Sequence, residues 1–252
     1  MSKILIAGNP DFVKGLGEGA NLFVAEMFGD TIQGEGVNTG VVATFLRLQN
    51  CTLNCSWCDS ESVWCYGNPY SVDEICDIFE SHGFVEKFRQ GQHLVLTGGS
   101  PLKQQLELIV LIERFIDRFG LKPYIEIENE AVLCVLPKMI GYVDCWNNSP
   151  KLASSNNTQR ARYKPEVLRA LSGFPNAWFK FVVTDDADWQ EIKEDFLDIE
   201  LIRKDQIILM PEGATQEELN QTRELTVDIA IREGVRFSDR EHVIIWNKKT
   251  GV

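Results

Sequence analysis

The stretch Val41-Val-Ala-Thr-Phe-Leu-Arg-Leu48-Gln-Asn-Cys51-Thr-Leu-Asn-Cys55-Ser-Trp-Cys58-Asp-Ser60 sets the frame for the whole chain. Its first half is a short run of β-branched and apolar residues, which predicts a strand over 41–48. Its second half spaces three cysteines as C-x3-C-x2-C, so one loop at the strand's end can wrap three thiolates around one metal centre. Structural zinc sites want four closed ligands, usually as two C-x2-C pairs, and only one such pair is present. Cys65 offers a fourth ligand, so a zinc knuckle or a four-cysteine cluster stays open. On a four-iron cluster, three cysteines leave one iron without a protein ligand, an open position for a substrate or cofactor.

Outward from this stretch, short apolar runs alternate with amphipathic segments. Strands are expected at 94–96, 124–127, 142–146, 178–183, 207–210 and 243–246. Ser71 with Glu74 forms a capping box that opens a helix over 72–81. Leu108, Ile109, Ile112, Phe115, Ile116 and Phe119 make a helical stripe within 102–119, which Gly120 stops. Thr215 with Glu218 caps a last helix over 216–232. The acidic stretch 185–194 reads as a solvated helix face. Strand–helix alternation predicts an α/β fold with a parallel sheet and crossover helices, barrel-like or doubly wound. Ligand sites in such folds gather at the carboxyl ends of strands. Arg47 ends the first strong strand, Thr97-Gly-Gly-Ser-Pro101 follows the second, and Ser149-Pro-Lys151 follows the strand at 142–146. Residues 1–22 read as an N-terminal extension to one domain over 23–252.

The chain has 252 residues with 37 acidic and 25 basic side chains, a net charge of -12, and this argues against a basic face for nucleic acid. No run approaches the roughly 20 apolar residues of a membrane span, and the start MSKILIAGNPDFVKG has no signal-peptide layout, so a cytoplasmic protein is expected. The seven cysteines are odd in number and lack a secretory context, which argues against a disulfide framework. Cys76, Cys134 and Cys145 sit among apolar neighbours and read as packing residues.

The residues around the cysteines carry a family resemblance. Glu26-Met-Phe28, Thr31-Ile-Gln-Gly-Glu-Gly36, Gly40, Phe45-Leu-Arg47, the cysteine trio and Asp59-Ser60 follow one another closely. Further on come Thr97–Pro101, Ser149–Lys151, Met210-Pro-Glu-Gly213 and Ser238-Asp-Arg-Glu-His242. This series resembles the 7-carboxy-7-deazaguanine synthase family of radical S-adenosylmethionine (SAM) enzymes. The cysteine spacing alone points only to the superfamily; the Gln-Gly-Glu-Gly stretch and Cys-Asp-Ser select this member.

The resemblance implies a modified partial (β/α) barrel of the TIM-like, radical SAM type. It implies a 4Fe–4S cluster on Cys51, Cys55 and Cys58, with SAM chelating the open iron through its amino and carboxylate groups. Thiolates suit such clusters as soft, anionic ligands. Reduction would cleave SAM to a 5′-deoxyadenosyl radical, so that the cofactor does the hard chemistry and the protein positions it. SAM contacts are implied for Trp57, Cys58, Asp59, Gly99, Ser149, Pro150, Lys151, Met210, Pro211, Glu212 and Gly213. The glycines after Thr97 would bring the backbone close to the SAM amino group. Ser100 stands where the superfamily usually has the acid of Gly-Gly-Glu.

The implied reaction converts 6-carboxy-5,6,7,8-tetrahydropterin to 7-carboxy-7-deazaguanine with ammonia release, in queuosine-type 7-deazapurine biosynthesis. Arg47 supplies a planar fork for the substrate carboxylate. Gln33, with the Ile32 and Gly34 backbone, and Thr97 are expected at the pterin edge. Ser60 matches the position that binds Mg²⁺, an ion that usually keeps few protein ligands. Glu126 shares a strand face with Glu128 and is a further candidate, as is His242. The family also implies a homodimer and a reductase or flavodoxin-type electron donor. Two rivals share the cysteine spacing: a glycyl-radical-enzyme activase, and a non-catalytic zinc-stabilised interaction module using Cys65.

Overall fold

The structure is a computed structural model that describes residues 3–252. Its strands are β1 (Lys3–Ile6), β2 (Asn21–Ile32), β3 (Val42–Leu48), β4 (Asn68–Ser71), β5 (His93–Gly98), β6 (Tyr124–Asn129), β7 (Cys145–Asn148), β8 (Ala177–Val183), β9 (Ile207–Pro211) and β10 (Arg236–Phe237). Among the described residues they form one sheet in the order β1-β2-β3-β5-β6-β7-β8-β9-β10, with β4 also on β2. From β3 to β10 each neighbouring pair along this path is parallel. β2 pairs antiparallel with β1, β3 and β4. Helices cross between the parallel strands, as parallel pairing requires. This is the modified partial (β/α) barrel that the sequence predicts, left open because no ladder joins β10 back to β2 among the described residues.

Strand side chains alternate between the two faces of the sheet, and here the faces differ in chemistry. Leu46 and Leu48 of β3, Leu94 and Leu96 of β5, Ile125 and Ile127 of β6, and Phe179 and Phe181 of β8 enter the main core with the helices. Each such buried Leu, Ile or Phe contributes about 1.5–3 kcal/mol relative to exposure, so this face carries most of the stability. The opposite face has only a small apolar floor of Phe28, Ala43, Phe45 and Val95, with the Phe28 and Phe45 rings stacked 5.0 Å apart. Beyond that floor the inward positions include Glu26, Arg47, Thr97, Glu128 and Lys180, which line a cavity together with Val182 and Met210.

The helix signals hold closely. The Ser71–Glu74 capping box opens Val72–Ser81, and the Thr215–Glu218 box opens Gln216–Glu233, which Gly234 ends in a left-handed conformation. The stripe before Gly120 is an α-helix over Gln105–Phe119 preceded by a short 3-10 turn at Pro101–Gln104. Two expectations need correction. The run at 243–246 is not a strand but part of a helix, Glu241–Trp246, because a four-residue apolar run has no period that separates the two. The acidic stretch after Asp185 does form a helix, Asp186–Ile192, but Asp188 is buried and accepts hydrogen bonds from the Thr184 backbone and hydroxyl. Of the expected extension 1–22, Met1 and Ser2 lie outside the described residues. Lys3–Ile6 joins the sheet through β2, and β2 itself begins at Asn21.

Candidate active site

The cavity lies at the carboxyl ends of the parallel strands, walled by the loops that leave β3, β5, β6, β7 and β9. The first of these loops carries Cys51, Cys55 and Cys58, three free thiols that all face the cavity. Each is met by an N–H group: Leu53 N at 3.4 Å from Cys51 Sγ, Asn157 Nδ2 at 3.2 Å from Cys55 Sγ, and Trp64 Nε1 at 3.5 Å from Cys58 Sγ. The loop is anchored by Ser56 N on Ser155 O and by Asn54 N on Asn157 Oδ1. Burial pushes the Cys51 thiol up to about 11 and raises Cys55 as well. A cationic centre that takes such thiols as ligands displaces their protons. Among the described residues no three His, Cys, Asp or Glu side chains converge tightly enough for a single metal ion. Cys65 is exposed and off the cavity wall, so it does not complete a four-cysteine set. Three N–H-supported thiols around an open space therefore fit an iron–sulfur cluster with one open iron.

The turn after β5 packs against this loop. A Cβ on Gly99 would stand 2.3 Å from Asn50 O, and one on Gly98 would stand 2.3 Å from Leu48 O. The absent side chains therefore allow close contact with the backbone leading to Cys51. Ser100 N donates to Asn50 O at 2.8 Å and its hydroxyl donates to Glu130 Oε1 at 2.7 Å. Within the cysteine loop, Trp57 carries a buried Nε1 without a partner, and Lys151 Nζ sits 5.5 Å from the Trp57 ring while donating to Ser149 Oγ at 2.7 Å.

A charge network closes the opposite wall. Lys180 of β8 pairs with Glu35 Oε2, and Arg240 Nε lies 2.9 Å from Glu35 Oε1. Arg240 also pairs with Asp59 and donates to Gly213 O. Burial alone would raise the Glu35 carboxyl, but Lys180, Arg240 and His242 outweigh it and hold it well below the usual carboxylate range. Asp59 is likewise depressed, with Arg240 overcoming burial. Burial, aided by Arg240, lowers His242, whose Nε2 lies 3.7 Å from Glu35 Oε1.

Near the apolar floor, Arg47 Nε donates to Glu26 Oε1 at 2.7 Å, and that carboxylate keeps the guanidinium charged against its burial. Thr97 Oγ1 donates to Glu128 Oε2 at 2.8 Å. The Gln33 amide donates to Glu126 Oε1 at 2.6 Å and Glu128 Oε1 at 3.0 Å, while its carbonyl accepts from Glu35 N at 3.2 Å. Its backbone is also engaged, with Val41 O and Gly40 N. Gln33 is thus a brace between acids rather than a free reader of a ligand edge.

The expected residues Ile32, Gln33, Gly34, Arg47, Trp57, Cys58, Asp59, Ser60, Thr97, Gly99, Ser149, Lys151, Met210, Glu212, Gly213 and His242 meet on this one cavity. Pro150 and Pro211 are not on its wall. Glu126 is fully buried behind Gln33, so Glu128, two residues on, is the acid of β6 that faces the cavity. Sequence reasoning missed Lys180, Glu130 and the role of Arg240. A lysine between Phe179 and Phe181 in an alternating strand is the signal for Lys180; no local pattern marks Glu130.

A partial (β/α) barrel with three cysteines in one loop at the strand ends defines a radical SAM protein. In keeping with this, a family profile described as a 4Fe-4S single cluster domain matches residues 32–128. The 7-carboxy-7-deazaguanine synthase of Halobacterium salinarum is 31% identical over 92% of this chain and 93% of its own length. That of Pyrobaculum aerophilum is 31% identical over 90% of this chain and 96% of its own length. The chain belongs to the 7-carboxy-7-deazaguanine synthase family. The crystal structure of QueE from Escherichia coli shares the fold, with a TM-score of 0.65 at 22% identity over 88% of this chain and 95% of that one.

Proposed function

We propose that this chain is a radical SAM lyase that converts 6-carboxy-5,6,7,8-tetrahydropterin to 7-carboxy-7-deazaguanine with release of ammonia, in queuosine-type 7-deazapurine biosynthesis. The observation that carries the reading is the meeting, on one cavity, of three N–H-supported thiols with an arginine and two polar groups suited to a carboxylated ring. Cys51, Cys55 and Cys58 hold the cluster. When bound and reduced, the cluster with SAM supplies the radical that abstracts hydrogen from the substrate. Trp57 and Lys151 flank the adenosine, and Ser149 fixes the lysine. Met210–Gly213 forms the turn beside them.

Arg47 receives the substrate carboxylate. Its Nε is already engaged by Glu26, which leaves the two terminal nitrogens of the fork to point at the ligand. Thr97 orients Glu128, whose carboxylate meets the ring N–H donors of a pterin. The Ile32–Gly34 backbone completes the edge. Ser60 would supply one hydroxyl to Mg²⁺, an ion that usually keeps few protein ligands. Fixed charges in a water-poor cavity stabilise the charge that develops during ring contraction. The same reading carries a reductase or flavodoxin-type electron donor, a homodimer and a cytoplasmic setting. Among the described residues no helix is long and apolar enough to cross a membrane.

The test is an anaerobic incubation of the reconstituted protein with SAM, reductant, Mg²⁺ and the carboxypterin, followed by mass analysis for the deazaguanine acid. Product formation supports the assignment. A protein that purifies anaerobically with one zinc and neither iron nor sulfide overturns it, and so does an intact cluster that makes no product.

A further inference from the structure

Glu130, one residue beyond β6, is 4% exposed and lines the cavity beside Gly99 and Cys51. Its Oε1 is held by two hydroxyl donors, Ser100 Oγ at 2.7 Å and Thr52 Oγ1 at 2.5 Å. Its Oε2 is buried and has no partner. A carboxylate oxygen that stays desolvated and unpaired is costly, and a ligand that supplies the missing donor would remove that cost. Both hydroxyl donors come from the elements that build the cluster end of the cavity: Thr52 lies within the cysteine loop, and Ser100 in the turn packed on it. The free oxygen is therefore fixed in place rather than mobile.

We propose that Glu130 accepts the hydrogen bond of the SAM α-amino group, standing in for the acid that a Gly-Gly-Glu turn would carry at position 100. The inference rests on the SAM-binding reading above. Its logic is an exchange between neighbouring strands. The turn after β5 carries a serine whose hydroxyl is spent on Glu130, and the residue after β6 delivers a carboxylate that this serine orients. The chemistry required of the ligand group is a positively polarised N–H donor at the cluster end of the cavity. The amino-acid half of SAM has that character and its adenosine half does not.

The test compares the reconstituted wild-type protein with E130Q and with the exchange variant S100E/E130S. Iron and sulfide content are measured first. Affinity for SAM and for 5′-methylthioadenosine, which lacks the amino-acid half, is then measured by equilibrium dialysis. The electron paramagnetic resonance signal of the reduced cluster is recorded with and without SAM. With full clusters, E130Q is expected to bind SAM about 10- to 100-fold more weakly, the loss of one charge-assisted hydrogen bond. Its affinity for 5′-methylthioadenosine should be unchanged, and S100E/E130S should regain most of the SAM affinity. E130Q binding SAM as tightly as wild type overturns the proposal. Equal weakening of both ligands, loss of the cluster, or an exchange variant with a full cluster and no recovery also overturns it, since each marks a structural role. A wild-type protein with a full cluster that leaves SAM unbound instead refutes the functional reading itself.

Discussion

Replacing Lys180 with methionine isolates the charge network from the packing around it. The two side chains have similar length and volume, so the aliphatic stem is kept and only the ammonium is lost. Lys180 is 5% exposed and Glu35 is 14% exposed as side chains, so neither charge is rescued by bulk water. In the intact wall, two carboxylates, Glu35 and Asp59, face two cations, Lys180 and Arg240. K180M leaves two carboxylates sharing one guanidinium. Removing one partner of a buried pair costs about 3–5 kcal/mol, and the lower end applies because Arg240 still holds Glu35 Oε1 at 2.9 Å. For a chain of this size about 3 kcal/mol lowers the melting temperature by roughly 6–12 °C. Thermal unfolding of the reduced protein at pH 7, followed by circular dichroism, measures it. The double variant E35Q/K180M should melt above K180M, because the unpaired charge is then gone. A K180M protein that melts within about 2 °C of wild type, with no recovery in the double variant, refutes the network as a structural element.

Three further outcomes follow from the same geometry. G99A places a Cβ 2.3 Å from Asn50 O and should lower cluster loading on reconstitution while the far-ultraviolet spectrum stays native; full iron content would count against the packing argument. C55A should lose the brown visible absorbance of the cluster and all SAM cleavage, and retention of both would dismiss the cysteine assignment. The pH dependence has a defined sign. His242 has a lowered folded pKa, so its contribution is present above the unfolded value of about 6.5 and is lost as pH falls through it. Glu35 and Asp59 are also depressed, so theirs is present above the usual carboxylate range near 4 and is lost below it. Melting temperature should thus fall in two steps on acidification, and H242N should remove the first; a single step in both proteins would be the contrary result.

The parts of this molecule that sequence made legible are those whose determinants lie within one turn or one loop. The Ser71–Glu74 and Thr215–Glu218 boxes span four residues each, and both caps form as expected. The cysteine loop spans eight residues, and all three thiols reach the cavity. The parts that were not legible depend on distant partners. Lys180 and Glu35 are 145 residues apart, and Arg240 and Glu35 are 205 apart. β2, unrecognised as a strand, carries Gly29 and the turn-like Asp30 within its span, and its twelve residues are held by pairing with three other strands. Glu126 and Glu128 illustrate the limit most sharply. Alternation puts both on one face, but only the position of Gln33, contributed by β2's exit, decides which one the cavity receives.

The inner face of the sheet explains why the site tolerates so many charges. An interior filled with Glu26, Arg47, Glu128, Glu130 and Lys180 costs folding stability unless each polar atom is matched, and the matching here is nearly complete on the protein side. Buried polar atoms without a partner also occur away from the cavity, as at His93 and Asn147, but two of them line it. Trp57 Nε1 and Glu130 Oε2 are buried, unpartnered and on the cavity wall near the cysteine loop. Glu26, Glu128 and Glu35 at the other end already have partners. The cysteine-loop end is therefore the part of the cavity in which protein groups still lack partners, whereas Glu26, Glu35 and Glu128 are braced in advance. Under the proposed function, such a division would favour strong ordering of the cofactor half by its ligand and a preformed pocket for the ring, since fixed partners cost no reorganisation when substrate arrives.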